Sequence, residues 1–318
     1  MIEPGNAPSL PPPLPGEPPA AAPASPAGPG AVRQFKELLD MIKFEHTVFA
    51  LPFALLGGLA TYRGTPPLEK VLLILLAMVG ARTAAMTFNR LADEDLDAEN
   101  PRTASRALPA GRVTRAGAYA LLGTAIIVLC LAAGKLGPLP WKLVPVALVI
   151  TLGYSFCKRF TAFAHVILGL SLAGAPLGAW IAVNGSVDEP VIYLALGVLT
   201  WTAGFDIIYA LQDLDFDKDR GLHSVPSRLG PGTSLALSRL LHLAAMASWA
   251  VFNVRMEAHV LPWLGWCLVG GILLREQWVV RGARLDRIDH AFFTLNSLVG
   301  LIFFTGYAAE WFVGRAMP

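Results

Sequence analysis

The chain has 318 residues, 54% of them hydrophobic and only 15% charged, with 25 lysines and arginines against 23 acids and a formal net charge of +2. Soluble domains carry about 25% charged residues, and the mean hydropathy of +0.54 agrees that lipid is the solvent for most of this chain. A cytosolic enzyme, a nucleic-acid-binding module and a secreted disulfide scaffold are thereby excluded, and the net charge is too small to imply a polyanionic partner.

Residues 1–30 hold 11 of the 25 prolines and almost nothing that could fill a core. Such a segment cannot offset its ordering entropy, so residues 1–32 are expected to form a disordered proline-rich tail. A basic region followed by an apolar stretch is missing there, which argues against a secretory signal. The folded domain is expected over 33–318. Its three cysteines, Cys130, Cys157 and Cys267, lie far apart within apolar runs and read as small buried hydrophobes.

A helix needs about 20 apolar residues to cross the hydrocarbon core. Runs of that order occur near 44–63, 68–92, 114–134, 139–157, 160–183, 190–212, 232–255, 257–280 and 290–313. The expected fold is therefore an all-α membrane protein with nine transmembrane helices. Pro52, Pro145, Pro176 and Pro262 fall inside these runs, where neighbouring helices can satisfy the freed carbonyls. Positive charge is enriched in cytoplasmic loops. With the N-terminus inside, 17 basic residues fall on the inner side and 6 on the outer, while Arg82 and Arg239 sit within spans. That asymmetry predicts a multi-pass protein of the cell (inner) membrane with a cytoplasmic N-terminus.

The acids are gathered. Asp93, Glu94, Asp95, Asp97 and Glu99 crowd the end of the second run, and Asp213, Asp215, Asp217 and Asp219 the end of the sixth. Asn89, Asp93 and Asp97 stand at i, i+4 and i+8, so a helix continuing out of the second run would stack them on one face. Asp213 and Asp217 repeat the spacing, with Asp206 two turns earlier. Like charges at i and i+4 repel, so such ladders call for a cation. Oxygen donors at this spacing suit Mg²⁺, which takes one or two carboxylates and keeps positions for water and phosphate. A calcium loop starting at Asp213 is excluded, because its sixth position would be Lys218 instead of glycine and its twelfth Ser224 instead of glutamate.

Basic residues accompany both ladders: Arg102 and Arg106 follow the first, and Lys218, Arg220, His223 and Arg228 the second. Arg112, Arg115 and Arg220 read as ordinary inner-face charges. The remaining mixture suits a diphosphate bridged by metal and clamped by guanidinium groups. Arg82 lies inside a span, where charge costs at least about 2.5 kcal/mol on insertion scales. Two turns before Asn89, it faces the same region. Tyr154 and Lys158, also i and i+4, can offer a phenol and an ammonium to one phosphate.

Together these strings resemble a known family. Asn89 through Asp97 is similar to the NxxxDxxxD motif of the UbiA-type intramembrane aromatic prenyltransferases, Asp213 and Asp217 to its DxxxD, and Tyr154 and Lys158 to its YxxxK. The resemblance spans about 36–313. It implies nine helices around a central cavity and Mg²⁺-dependent transfer of a polyprenyl chain from its diphosphate to an aromatic acid such as 4-hydroxybenzoate. Asn89, Asp93, Asp97, Asp213 and Asp217 would hold Mg²⁺ and the diphosphate. Arg102, Lys158 and Arg106 would hold phosphate oxygens, Tyr154 would lie near the reacting carbon, and Arg82 would meet the acceptor's carboxylate or the diphosphate. The strings at 41–47 and 221–228 look more like a sister branch linked to menaquinone synthesis, so a dihydroxynaphthoate is the alternative acceptor. The base that removes the ring proton is either the diphosphate itself or a carboxylate of one ladder. A transporter is the reading from another class, but its charges would sit near the midplane, whereas these acids cluster at one face. The expected partners are the two substrates and the bilayer, with no nucleic acid. The sequence leaves the oligomeric state open.

Overall fold

The computed structural model describes residues 31–41, 47–60, 62, 67–281, 288 and 294–316. The expected tail through residue 30 and most of the 41–47 string lie outside the described residues. Every regular element among the described residues is helical. In chain order these are α1 (Ala31–Met41), α2 (Thr47–Leu59), α3 (Leu68–Ala92), α4 (Glu94–Glu99), α5 (Arg115–Leu136), α6 (Pro138–Cys157), α7 (Ala164–Asn184) and α8 (Glu189–Tyr209). A 3₁₀ turn (Ala210–Asp213) leads into α9 (Leu214–Asp219), followed by α10 (Val225–Arg255), α11 (Val260–Val279) and α12 (Asn296–Ala316). Helical segments thus occupy each apolar run. Six stretches among the described residues are long and apolar enough to cross a membrane: α3, α5, α6, α7, α10 and the stretch from Glu189 to Asp219.

Local chemistry sets the boundaries. Thr114 opens α5 by accepting a hydrogen bond from the Gly117 amide at 3.1 Å. Gly185, with φ of 73°, closes α7 in the left-handed conformation that glycine adopts without a Cβ penalty. The α10 helix starts seven residues before the expected run at 232, because Ser224 and Ser227 form a reciprocal capping box. Its axis breaks at Gly230, where φ is 75° and ψ 168°, immediately before Pro231. A residue other than glycine would be strained at that φ.

The helices wrap an aromatic core behind α8. Phe53, Trp201, Trp249 and Phe303 are fully buried, with Phe53 stacked on Trp249 at 5.3 Å and Trp249 against Phe303 at 5.4 Å. A polar thread ties the later helices to this core. The Trp201 indole donates to Asn296 Oδ1 at 2.8 Å, and Asn296 Nδ2 donates to Glu276 Oε1 at 2.7 Å. With α8 so fixed from behind, its other face is free to line a cavity. The α8–α10 contact is closest at Gly197, where a Cβ would lie 2.1 Å from Trp249 Nε1. Because Trp249 is enclosed, Gly197→Ala is expected to cost about 1–3 kcal/mol by overpacking. Thermal melting in detergent should show a lower Tm for Gly197→Ala and none for Gly123→Ala, whose Cβ would meet nothing within 4 Å.

Candidate active site

A cavity of about 460 Å³ runs between α3, α5, α6, α7 and α8. Its inner part is walled by apolar side chains, among them Ile74, Met78, Leu129, Leu143 and Val144. Its other end carries the charges. Arg82, Asn89, Asp93, Asp97, Arg102, Arg106, Tyr154, Lys158, Asp213 and Asp217 all line it, so the ten residues singled out from sequence are brought together. Lipid-facing hydropathy on the outside and polar groups within force this arrangement, since an ionisable group in a span must face the bundle interior.

The acidic ladders differ from one continuous helix. The α3 helix stops at Ala92, Asp93 sits at the junction with φ −103° and ψ 10°, and α4 begins at Glu94. The second motif has the same form: Asp213, with φ −102° and ψ 9°, joins the 3₁₀ turn to α9. Backbone bonds from Asp93 N to Asn89 O (3.0 Å) and from Asp97 N to Asp93 O (2.7 Å) nevertheless keep the i, i+4 stacking. The two motifs are therefore matched in backbone geometry on facing walls.

Cations answer the acids across long sequence separations. Arg102 grips Asp213 bidentately, Nε to Oδ1 at 2.8 Å and Nη2 to Oδ2 at 2.5 Å, and its Nη1 donates to the Tyr209 hydroxyl at 3.0 Å. Asn100 Nδ2 donates to the same Asp213 Oδ1 at 2.9 Å. Arg106 Nη1 reaches both oxygens of Asp97, at 2.6 and 2.7 Å, while Arg90 stands 3.9 Å from Asp97. Asp93 accepts from Asn89 Nδ2 at 2.9 Å and from Arg159 at 3.4 Å, and Arg159 also donates to the Ala92 carbonyl. Among the described residues, no three His, Cys, Asp or Glu side chains form a metal-sized cluster. Asp217 differs from the other acids of the two motifs: its Oδ2 is buried and has no hydrogen-bond partner.

The electrostatics follow from this geometry. Burial raises the Asp93 carboxyl above its ordinary value, and the neighbouring Asp97 adds to the effect. Burial alone would lower the Lys158 ammonium, but Asp217, Asp213, Asp206 and Asp93 outweigh it and hold the group above its usual range. Burial also opposes the charge on Arg102, yet the bonds to Asp213 and Tyr209 raise it. Lys158 and Arg102 thus remain cations at the cavity's polar end. Deeper in, the Nε of Arg82 is buried without a partner.

Other residues complete the site. Asp206 on α8 lines the cavity, and its Oδ2 lies 2.7 Å from Nδ1 of buried His165 at the start of α7. A carboxylate inside an apolar run is the same signal that marks Arg82. His165, Asn100, Tyr209 and Arg159 carry no comparable mark, because their roles arise from contacts between helices.

A family model described as the UbiA prenyltransferase family matches residues 50–298. The chain belongs to that family. As a UbiA prenyltransferase it is 29% identical over 243 residues to the 4-hydroxybenzoate octaprenyltransferase of Tolumonas auensis, covering 76% of this chain and 84% of that protein. It is 30% identical over 260 residues to the enzyme of the same name from Alkalilimnicola ehrlichii, covering 80% and 87%. The apo structure of a UbiA homolog from Aeropyrum pernix K1 matches with a TM-score of 0.77 and 33% identity, over 84% of this chain and 98% of that one. A UbiA homolog from Archaeoglobus fulgidus bound to GPP and Mg²⁺ shares the fold, with a TM-score of 0.70 and 19% identity over 86% and 98%.

Replacing Arg102 by methionine leaves Asp213 held by Asn100 alone. Breaking a fully buried pair costs about 3–5 kcal/mol. The Arg102 side chain is 31% exposed, so a loss of about 1–2 kcal/mol is expected. It should appear as a lower Tm in detergent together with a weaker KM for prenyl diphosphate.

Proposed function

We propose that this UbiA prenyltransferase transfers a polyprenyl chain from polyprenyl diphosphate to an aromatic acid, 4-hydroxybenzoate in the first instance. The observation that carries the reading is a cavity with an apolar interior and a polar end where both acidic motifs meet. Isoprenoid matches the first, and diphosphate the second. In this reading the chain crosses the membrane nine times, with its N-terminus and the polar end of the cavity facing the cytoplasm.

The donor set fits Mg²⁺. Asn89, Asp93, Asp97, Asp213 and Asp217 offer hard oxygen donors from two facing walls, and the orphaned Asp217 Oδ2 is a buried oxygen that needs a cation. Bound there, Mg²⁺ would neutralise charge on the departing diphosphate. Arg102, Lys158 and Arg106 hold phosphate oxygens as the allylic C–O bond breaks and its electron pair leaves with the diphosphate. Tyr154 faces the allylic carbon, and the apolar walls keep water from the cation. Arg82 pairs with the acceptor's carboxylate. A ring π pair then forms the new C–C bond, and the ring proton must leave.

Asp206 is the group placed to take that proton. Asp93, Asp97, Asp213 and Asp217 belong to the metal donor set, and the first three are each also held by an arginine. Asp206 lines the same cavity and is bonded at Oδ2 to a histidine, leaving Oδ1 to accept the proton while the C–H electrons return to the ring.

Purified enzyme incubated with geranyl diphosphate, Mg²⁺ and 4-hydroxybenzoate should yield the prenylated acid by mass spectrometry. EDTA should abolish turnover, excess Mg²⁺ should restore it, and Asp217→Asn should be inactive while retaining its Tm. Product with a dihydroxynaphthoate but not with 4-hydroxybenzoate would reassign the acceptor. Absence of product from any aromatic acid would refute the reading.

A further inference from the structure

The imidazole of His165 is enclosed between α7, α8 and the start of α10, and both ring nitrogens are engaged. Nε2 lies 3.3 Å from the backbone amide of Val225, which donates to it. Nδ1 lies 2.7 Å from Asp206 Oδ2. An amide can only donate, so Nε2 must carry a lone pair and the ring proton sits on Nδ1, directed at the carboxylate.

The Val225 amide is there for a structural reason. The first amides of a helix have no partner within the helix. In α10 the Ser227 amide is satisfied by Ser224 Oγ at 3.3 Å, and the Ser224 amide by Ser227 Oγ at 2.9 Å. Val225, the first residue of α10, gives its amide to His165 instead. The preceding loop is tied to the site at two points. Leu222 N donates to Asp217 O at 2.8 Å, and His223 N donates to Lys158 O at 2.7 Å. The imidazole is therefore anchored to the same loop that follows the second acidic motif and packs against Lys158.

We propose that His165 is a positioning residue: locked in the Nδ1–H tautomer by Val225, it fixes the rotamer of Asp206 and aims Oδ1 at the ring proton of the bound acceptor. The proposal rests on the assignment of Asp206 as proton acceptor. A partner that holds one oxygen of a carboxylate sets which way the other points, as outer-shell partners do for the groups that they orient. His165 touches neither substrate nor diphosphate, so its effect should fall on turnover, not on donor affinity.

Two variants separate orientation from packing, since both lose the Val225 bond. His165→Leu removes the donor to Asp206, whereas His165→Asn places an amide N–H near the position of Nδ1. With geranyl diphosphate, Mg²⁺ and the preferred acid, His165→Leu should lower kcat about ten- to hundredfold, with KM for geranyl diphosphate changed less than about twofold. His165→Asn should recover turnover to within about fivefold of wild type. In an Asp206→Asn background, adding His165→Leu should change kcat by less than about twofold, because the two residues act as one unit. Melting temperatures of the two histidine variants should match.

If Asp206→Asn alone turns over at the wild-type rate, the proton-acceptor assignment fails and the proposal with it. If Asp206→Asn is impaired, three results overturn the positioning role alone. These are wild-type turnover in His165→Leu, equal losses in the leucine and asparagine variants, and losses that multiply in the double variant.

Discussion

Arg102 binds Asp213 with two hydrogen bonds across 111 residues of sequence, and the site's architecture depends on that contact. Arg102 follows the first acidic motif, while Asp213 opens the second. Asn100 makes the same crossing, to the same oxygen. Two like-charged ladders on facing walls would otherwise push apart, and at the edge of an apolar bundle there is little water to screen them. The bidentate fork sets their spacing and closes the polar end of the cavity. Tyr209, which accepts from Arg102 and lies under its guanidinium at 5.3 Å, ties the assembly to α8.

The same constraint explains why the charged residues are so few and so concentrated. The aromatic core around Trp249 and the Trp201–Asn296–Glu276 thread hold α8 from one side. Its opposite side presents Asp206 and Tyr209 to the cavity, and the 3₁₀ turn that follows adds Asp213. One helix thus divides a dry packing face from a face that carries charge. An apolar chamber ending in paired cations and acids suits a substrate with a greasy tail and a diphosphate head. A transport pathway would need charged groups near the midplane, accessible from both sides, but here both acidic motifs collect at one end.

What could be read from sequence was what is local. Apolar runs mark helices because lipid exposure acts on each segment separately, and i, i+4 spacing places Asn89, Asp93 and Asp97 on one wall whether or not the helix is interrupted. The interruption itself, at Asp93 and again at Asp213, leaves no trace in the spacing. Nor did the ion pairs show. Arg159 reaches Asp93 across 66 residues of sequence, a contact that no local spacing marks. The start of α10 has no mark in the hydropathy pattern, because the Ser224–Ser227 capping box precedes the apolar residues. His165 was invisible for a different reason: its meaning lies in a bond to Asp206 and a bond to Val225, from two other helices.

The central claim is that the two motifs hold one metal–diphosphate group between them at the end of an apolar chamber. The most direct measurement is an experimental structure of the enzyme with Mn²⁺ and a non-reactive thiolo analogue of geranyl diphosphate, the metal located by anomalous scattering. Metal between Asn89 and Asp93 on one wall and Asp213 and Asp217 on the other, with the geranyl chain running towards Met78 and Leu143, is the predicted result. Metal bound away from either motif, or a chain directed away from that chamber, would contradict it.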